Sequence, residues 1–274
     1  MLNDGHSDTE ILACLDREFP PGTFSTTNAA ALRGTKWDRR KAGGGKRHER
    51  VRKLAEAVRP LSRHPLARTD LVNRLARFNA DLVIQRYRRD DLSGKTPHEI
   101  LQFAFGPSVA RAFQHERPSL RYLKWRWRKA PEGLLAKLNA VSSQADFDRL
   151  ALSVGKSLVA DWGPKNDHGE PSRMNIGIAL KITNLVLKHL AFSDHARNLR
   201  LIEWLHVPWD RFTLTPLKDI WTGHPRIPNA PSQGFVKDID LYWNLHALIS
   251  GIVHDAGRPR IHYEMWAWDS AHQE

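Results

Sequence analysis

The sequence predicts an all-α fold. Apolar residues recur at three- and four-residue spacing in one segment after another, which is the pattern of helices with one buried face. The segments that show it best are Asp70–Tyr87, Pro131–Val141, Ala145–Gly163 and Asp238–Gly257. Strand-like alternation is scarce, and "RPRIHYEMWAW" near the C-terminus is the one candidate strand.

Start and stop signals support individual helices. Thr96 is a suitable N-cap, Pro97 suits the first helical position, and Glu99 completes a capping box. Gly163 and Gly257 follow apolar periodic segments and suit the ends of helices. We therefore expect helices joined by short turns marked by proline and glycine.

The composition excludes several classes of protein. Cys14 is the single cysteine, so the chain can form neither an internal disulfide nor a four-cysteine metal site. Histidine is plentiful, yet no compact ligand spacing accompanies it, and we predict no metal and no cofactor. The start of the chain is polar and acidic and no apolar run is long enough to span a membrane, so we expect no membrane partner and a cytoplasmic protein.

The charge indicates a polyanionic partner. The 274 residues carry a net charge of +12, and Lys and Arg concentrate around three glycines in the stretch 33–53. We interpret residues 1–45 as an N-terminal segment with a flexible basic arm and residues 46–274 as the main domain. The loop 163–175 is the best internal boundary, between two helical lobes.

A second basic cluster is "RYLKWRWRK". Its cations could meet phosphates while Trp125 and Trp127 stack on bases. Equally, the two indoles could be core residues with the cationic side chains extending around them. The candidate DNA-binding residues of this cluster are Arg121, Lys124, Arg126 and Arg128.

The stretch "GIALKITNLVLKHL" predicts a helix that is apolar over most of its circumference. Lys181, Asn184 and Lys188 share the remaining sector. Such a stripe is either the wet edge of a core helix or a functional surface. Further on, Asp210 follows Pro208 at the start of a short segment, where it could cap a helix.

Together, "GIALKITNLVL" and "VPWDRF" resemble the helix-hairpin-helix DNA glycosylases, which include endonuclease III and the 8-oxoguanine glycosylases. The resemblance covers about 40 residues, from Arg173 to Leu214. It implies a two-lobed helical fold with a DNA-binding cleft, Lys181 as nucleophile and Asp210 as catalytic carboxylate. Gly177 would be the hairpin glycine, and Ala179 stands where the family has a second one. Without iron–sulfur cysteines the chain resembles a cluster-free branch.

The resemblance also implies the substrate class and the partner. A monomer would bind double-stranded DNA through Gly177, Ala179, Asn184 and Lys188, associate with the nucleoid and flip a modified base out of the duplex. The family default is an oxidised or otherwise damaged base. The divergent hairpin and the long separation of Lys181 and Asp210 would equally fit a bulky phage base such as glucosylated hydroxymethylcytosine, as an antiviral defence. Lys181 could add a lyase activity. Aromatic residues that could stack the base, or else belong to the core, are Trp209, Tyr242, Trp243 and Trp266.

Two other functions remain open from the sequence. A non-enzymatic helical protein could bind DNA or RNA through the same basic clusters and leave Lys181 and Asp210 idle. A helical ribonuclease is suggested by Arg59 and His64, whose spacing fits an R-x4-H motif, although Pro60 lies inside that motif and would disturb a helix.

Overall fold

The computed structural model describes residues 68–110, 113, 116–129 and 131–272. The chain divides into two units after Pro65, and all of these residues belong to the second unit, Leu66–Glu274. The segment 1–45, the basic arm at 33–53 and the pair Arg59 and His64 lie outside the described residues.

The first half of the described chain consists of short and medium helices. They are α1 (Arg68–Arg77), α2 (Ala80–Tyr87) with a π-helical turn at Arg88–Leu92, α3 (Pro97–Phe103), α4 (Pro107–Ala110), α5 (Pro118–Lys129), α6 (Pro131–Asn139) and α7 (Gln144–Trp162). The second half contains α8 (Ile176–Phe192), α9 (Leu201–Trp204), α10 (Arg211–Leu214) with a 3-10 turn at Thr215–Leu217, α11 (Ile239–Asp255) and α12 (Arg260–His272).

The all-α class is confirmed for the part of the chain that the structure describes. It contains no strand, only an isolated antiparallel bridge between Lys165 and Pro171. None of its helices combines the length and the apolar character that crossing a membrane requires. The segment 258–268, which we predicted as a candidate strand, is helical from Arg260 onward and forms the first part of α12. That prediction is wrong because Ile261 to Ala267 are all buried, so the sequence lacks the polar face by which a helix is recognised.

The helix start predicted at Thr96 and the helix ends predicted at Gly163 and Gly257 are confirmed. The Thr96 side chain accepts from Glu99 N and the Glu99 carboxylate accepts from Thr96 N, which makes the expected capping box of α3. Gly163 and Gly257 have positive φ and follow α7 and α11, where a residue with a Cβ would be strained. The segment Asp70–Tyr87 forms two helices, because Asn79 caps α2 with its side chain.

Buried apolar side chains form two clusters. The larger one draws mainly on α2 to α9, and the smaller one on α1, residues 207–221 and α11. Two helices contribute to both clusters: α8 places Ile182 in the larger and Leu180 in the smaller, while α12 does the same with Ile261 and Tyr263. We call the boundary between the two clusters, which α8 and α12 line, the seam.

The first turn of α8 is held by an unusually close contact. A Cβ on Gly177 would lie 1.8 Å from the carbonyl oxygen of Val236, closer than any two such atoms approach. Asn175 caps the same turn, since its side chain accepts from Ile178 N at 2.9 Å. Glycine is therefore needed at position 177 so that the segment before α11 can reach α8.

Gly177→Ala tests this contact. We expect a loss of about 1–3 kcal/mol in the free energy of unfolding, measured by denaturant titration, because the added methyl group displaces the Val236 backbone. Gly133→Ala in α6 is the matched control: nothing lies within 4 Å of its Cβ position, so we expect a gain of up to about 1 kcal/mol. Equal effects of the two substitutions would contradict the packing described for Gly177.

Candidate active site

The polar stripe of α8 points into the protein. Lys181 is 7% exposed, Asn184 1% and Lys188 8%, and every residue of α8 except Ile176 and Leu185 is buried. The stripe is therefore not a wet edge of a core helix. Buried charges require partners, and the partners of Lys181 and Lys188 define the site.

Lys181 and Asp210 meet although they are 29 positions apart in the sequence. Lys181 Nζ lies 3.6 Å from Asp210 Oδ2, and the two side chains are 8% and 12% exposed. Lys181 Nζ also donates to Gln233 Oε1 at 2.9 Å. The amine and the carboxylate that the resemblance singled out thus share one location, at the seam.

Asp210 is oriented by the helix that it begins. Its Oδ1 accepts from Phe212 N at 2.9 Å and Thr213 N at 3.2 Å, while its own N–H donates to Thr213 Oγ1 at 2.8 Å. Asp210 is therefore the N-cap of α10, as its position after Pro208 indicated. Because capping uses Oδ1, the second oxygen is left to face Lys181.

Burial changes the acidity of Lys181. Removing the ammonium from water lowers the pKa of Lys181 below its ordinary value, and the negative charges of Asp210 and Glu264 oppose that shift. A lysine with a lowered pKa has more of its neutral, nucleophilic form at neutral pH. The environment thus moves Lys181 in the direction that attack on a carbon atom requires.

A second buried ion pair lies further along the same stripe. Lys188 Nζ is 2.8 Å from Glu264 Oε1 of α12, with the side chains 10% and 3% exposed, and it also lies 5.4 Å from the centre of the Tyr87 ring. Burial raises the pKa of Glu264 and Lys188 counteracts this. Our sequence analysis missed Glu264, whose only signal was a carboxylate within an otherwise apolar segment.

Asn184 connects the stripe to a buried polar network. Its amide donates to Val207 O at 3.3 Å and to Tyr242 Oη at 2.9 Å. The Tyr242 hydroxyl lies 2.8 Å from His206 Nδ1, and His206 Nε2 lies 2.7 Å from Asp148 Oδ1. Burial lowers the pKa of His206 to about 4, so the ring is neutral at pH 7. This network fixes the chain just before Asp210.

Gly177 and Ala179, which the resemblance places in a hairpin, lie within α8. Both lie inside the first turn of the helix rather than in a tight hairpin, and residues 163–175 separate α7 from α8. Ala179 is fully buried, and Asn184 and Lys188 are engaged as described. The side chains of Asn184 and Lys188 therefore bind protein groups in this conformation.

The basic residues of α5 divide into two kinds. Arg121 donates to Trp162 O and Lys165 O, and Arg126, 9% exposed, donates to Gln102 Oε1, so both connect helices. Lys124 is exposed, and Arg128 forms an exposed ion pair with Asp161 at 2.9 Å. Trp125 is fully buried and donates to Ser157 Oγ at 3.1 Å, which makes it a core residue. The side chain of Trp127 lies outside the described residues.

The predicted base-stacking residues are mostly core aromatics. Trp209, Tyr242 and Trp266 are 1%, 0% and 7% exposed and belong to the smaller cluster. Trp243 is half-buried and packs edge-on against the rings of His206 and Tyr242. Trp209, Tyr242 and Trp243 pack against the rings of His206 or His246, next to the network that precedes Asp210.

An aromatic cluster that the sequence analysis missed lies beside Asp210. Phe212 packs against Trp268 and His272 with ring centres 4.9 and 5.1 Å apart, and the Trp268 and His272 rings stack at 4.7 Å. Trp268 is 38% exposed and His272 is exposed. The signals in the sequence were that Phe212 follows Asp210 by two positions and that Trp268 and His272 are four positions apart, which places them on one face of a helix.

Comparison of the chain with family models, with curated proteins and with solved structures finds no match. Within the part that the structure describes, no three side chains of His, Cys, Asp or Glu are grouped so that they could hold a metal ion. What the site can do must therefore be argued from its own geometry.

The Lys188–Glu264 pair gives a stability test. Lys188→Met leaves the Glu264 carboxylate buried without its counter-ion, and we expect a loss of about 3–5 kcal/mol in the free energy of unfolding, measured by denaturant titration. The double substitution K188M/E264L replaces both charges by apolar groups and should recover most of that loss.

Arg200→Met is the control, because Arg200 and Glu203 form an ion pair with side chains 67% and 54% exposed. Such pairs contribute about 0–1 kcal/mol. If K188M costs no more than R200M, or if the double variant is as unstable as K188M, the pair is not the buried interaction described above.

Proposed function

We propose that this chain is a DNA glycosylase in which Lys181 and Asp210 act on the sugar of a flipped nucleotide. The observation that carries the proposal is the approach of Lys181 Nζ to 3.6 Å from Asp210 Oδ2. A desolvated amine beside a carboxylate whose other oxygen is fixed by a helix cap is the pair of groups that this reaction needs.

The chemistry assigns a different role to each group. Cleavage of the N-glycosidic bond builds positive charge on the sugar, and the negative charge of Asp210 would stabilise it. The neutral amine of Lys181 would form a bond to the anomeric carbon while the base leaves with the electron pair of the broken bond. The base then takes up the proton that the alkylated amine loses. Opening of the sugar ring then gives an imine, which water hydrolyses to an abasic sugar and the free amine.

The charge of the whole chain and the aromatic residues that follow Asp210 suit a nucleic acid. The net charge of +12 draws the chain to a polyanion. Phe212, whose backbone N–H binds Asp210, belongs with Trp268 and His272 to a partly exposed aromatic cluster, which could stack the base whose sugar reaches the pair. An oxidised or otherwise damaged base, or a bulky modified phage base, fits an open aromatic surface of this kind.

A second candidate is a non-enzymatic protein that binds DNA or RNA. The observation in its favour is the low exposure of the two side chains, 8% for Lys181 and 12% for Asp210, which resembles that of the Lys188–Glu264 pair. In this account both ion pairs serve stability, and the exposed cations, such as Lys124, bind phosphates.

Asp210→Asn separates the two candidates. Asparagine is as good an N-cap as aspartate, so α10 should persist while the charge beside Lys181 is lost. We expect base release from a cognate duplex to slow by at least about 100-fold, with DNA affinity unchanged. Base release would be measured by strand cleavage at abasic sites, on duplexes containing an oxidised purine, an alkylated base or glucosylated hydroxymethylcytosine.

The matched control is Asp238→Asn, because Asp238 caps α11 through the same kind of hydrogen bond, to Leu241 N at 2.8 Å. This variant should keep the wild-type rate. Wild-type protein that binds DNA yet releases no base from any of the duplexes would favour the binding protein. Equal rates for D210N and wild type would remove Asp210 from the mechanism.

A further inference from the structure

The segment between Trp221 and α11 places one neutral side chain directly on the Lys181 amine. Gln233 Oε1 accepts from Lys181 Nζ at 2.9 Å, and Gln233 Nε2 donates to the backbone oxygen of Val109 at 3.4 Å. One amide group therefore bridges Lys181 and a residue of the larger hydrophobic cluster.

The backbone around Gln233 is anchored on one side. Phe235 N donates to Ser232 O at 3.0 Å, which closes a turn around Gln233 and Gly234. Val236, 1% exposed, then packs against Gly177 in the first turn of α8. Residue Gln233 is partly exposed, whereas Lys181, which its amide contacts, is buried.

We propose that Gln233 is a positioning residue that covers the Lys181 amine and is displaced when the substrate reaches it. The inference rests on the proposed function only in assigning the incoming group to a nucleotide sugar. A carboxamide suits this role, because its oxygen satisfies the ammonium without a permanent charge. An oxygen-bearing substrate can therefore replace it without separating an ion pair.

The charged groups around Lys181 determine how substitutions at Gln233 should act. Asp210 approaches Lys181 from the start of α10, and the negative charge of Glu264 acts on it from α12. Lys188, which lies on α8 like Lys181, is paired with Glu264. A hydrogen bond to the charged form of a group favours that form. Loss of the Gln233 amide should thus lower the pKa of Lys181 further, and a carboxylate at position 233 should raise it.

Amine labelling without DNA tests the proposal. Wild type, Gln233→Ala and Gln233→Glu would be treated with formaldehyde and a borohydride reductant over a pH series. Mass spectrometry would then quantify methylation at Lys181 and, as an internal reference, at Lys188. We expect at least about threefold faster labelling of Lys181 in Q233A, the effect of half a pKa unit. In Q233E the labelling midpoint should move up by about one unit.

Asn229→Ala, an exposed position in the same segment, is the control and should label as wild type does. The proposal is overturned if both Gln233 variants label Lys181 at the wild-type rate. It is equally overturned if Lys188 labelling rises in parallel with that of Lys181, because the segment would then be supporting the fold as a whole.

The outcome is independent of the glycosylase assignment. If Lys181 labelling shifts in opposite directions in the two variants but no duplex loses a base, Gln233 covers a reactive amine and the proposed function fails. If bases are released and labelling does not respond to Gln233, the proposed function stands and the covering role fails.

Discussion

The structure depends on the need to neutralise two ammonium groups carried by a helix that is buried on nearly all sides. Lys181 and Lys188 lie seven positions apart on α8, and an ammonium left unpaired at either position would destabilise the fold or lose its proton. Asp210 and Glu264 meet this need from two different elements, the start of α10 and the middle of α12. Pairing the lysines therefore fixes where both elements lie against α8.

The two ion pairs are built differently, and the difference bears on function. Lys188 and Glu264 are in direct contact at 2.8 Å and nearly inaccessible. Lys181 is 3.6 Å from Asp210, and its shorter hydrogen bond goes to a neutral amide from a partly exposed loop residue. The first arrangement suits a permanent structural contact. The second can exchange one partner while the carboxylate stays in place, which an amine that must meet a substrate requires.

Local signals in the sequence were sufficient for much of the helical framework. The capping box of Thr96 and Glu99 and the glycine after α7 depend on neighbouring residues, so they could be predicted directly. Where a helix is buried on all sides, local pattern fails, and the segment that forms α12 resembled a strand for this reason. The break at Asn79 was missed because apolar spacing continues across it.

The site was predictable only in part. Lys181 and Asp210 could be named from a resemblance to a family. Their approach could not be inferred from spacing, because it depends on the tertiary position of the chain around Asp210 relative to α8. Gln233 carries no local signal and Glu264 only a weak one, since each acquires its role through a contact with α8. The arginines of α5 show the opposite effect: a basic cluster looked like a DNA-binding surface, yet Arg121 and Arg126 connect helices.

Trapping the amine on its sugar tests whether Lys181 is the nucleophile. Incubation of the protein with a duplex containing an abasic site, in the presence of borohydride, converts an imine between Lys181 and the sugar into a stable amine. We expect one covalent protein–DNA adduct, which peptide mapping locates at Lys181. An adduct at any other amine, or efficient DNA binding with no adduct, would contradict it.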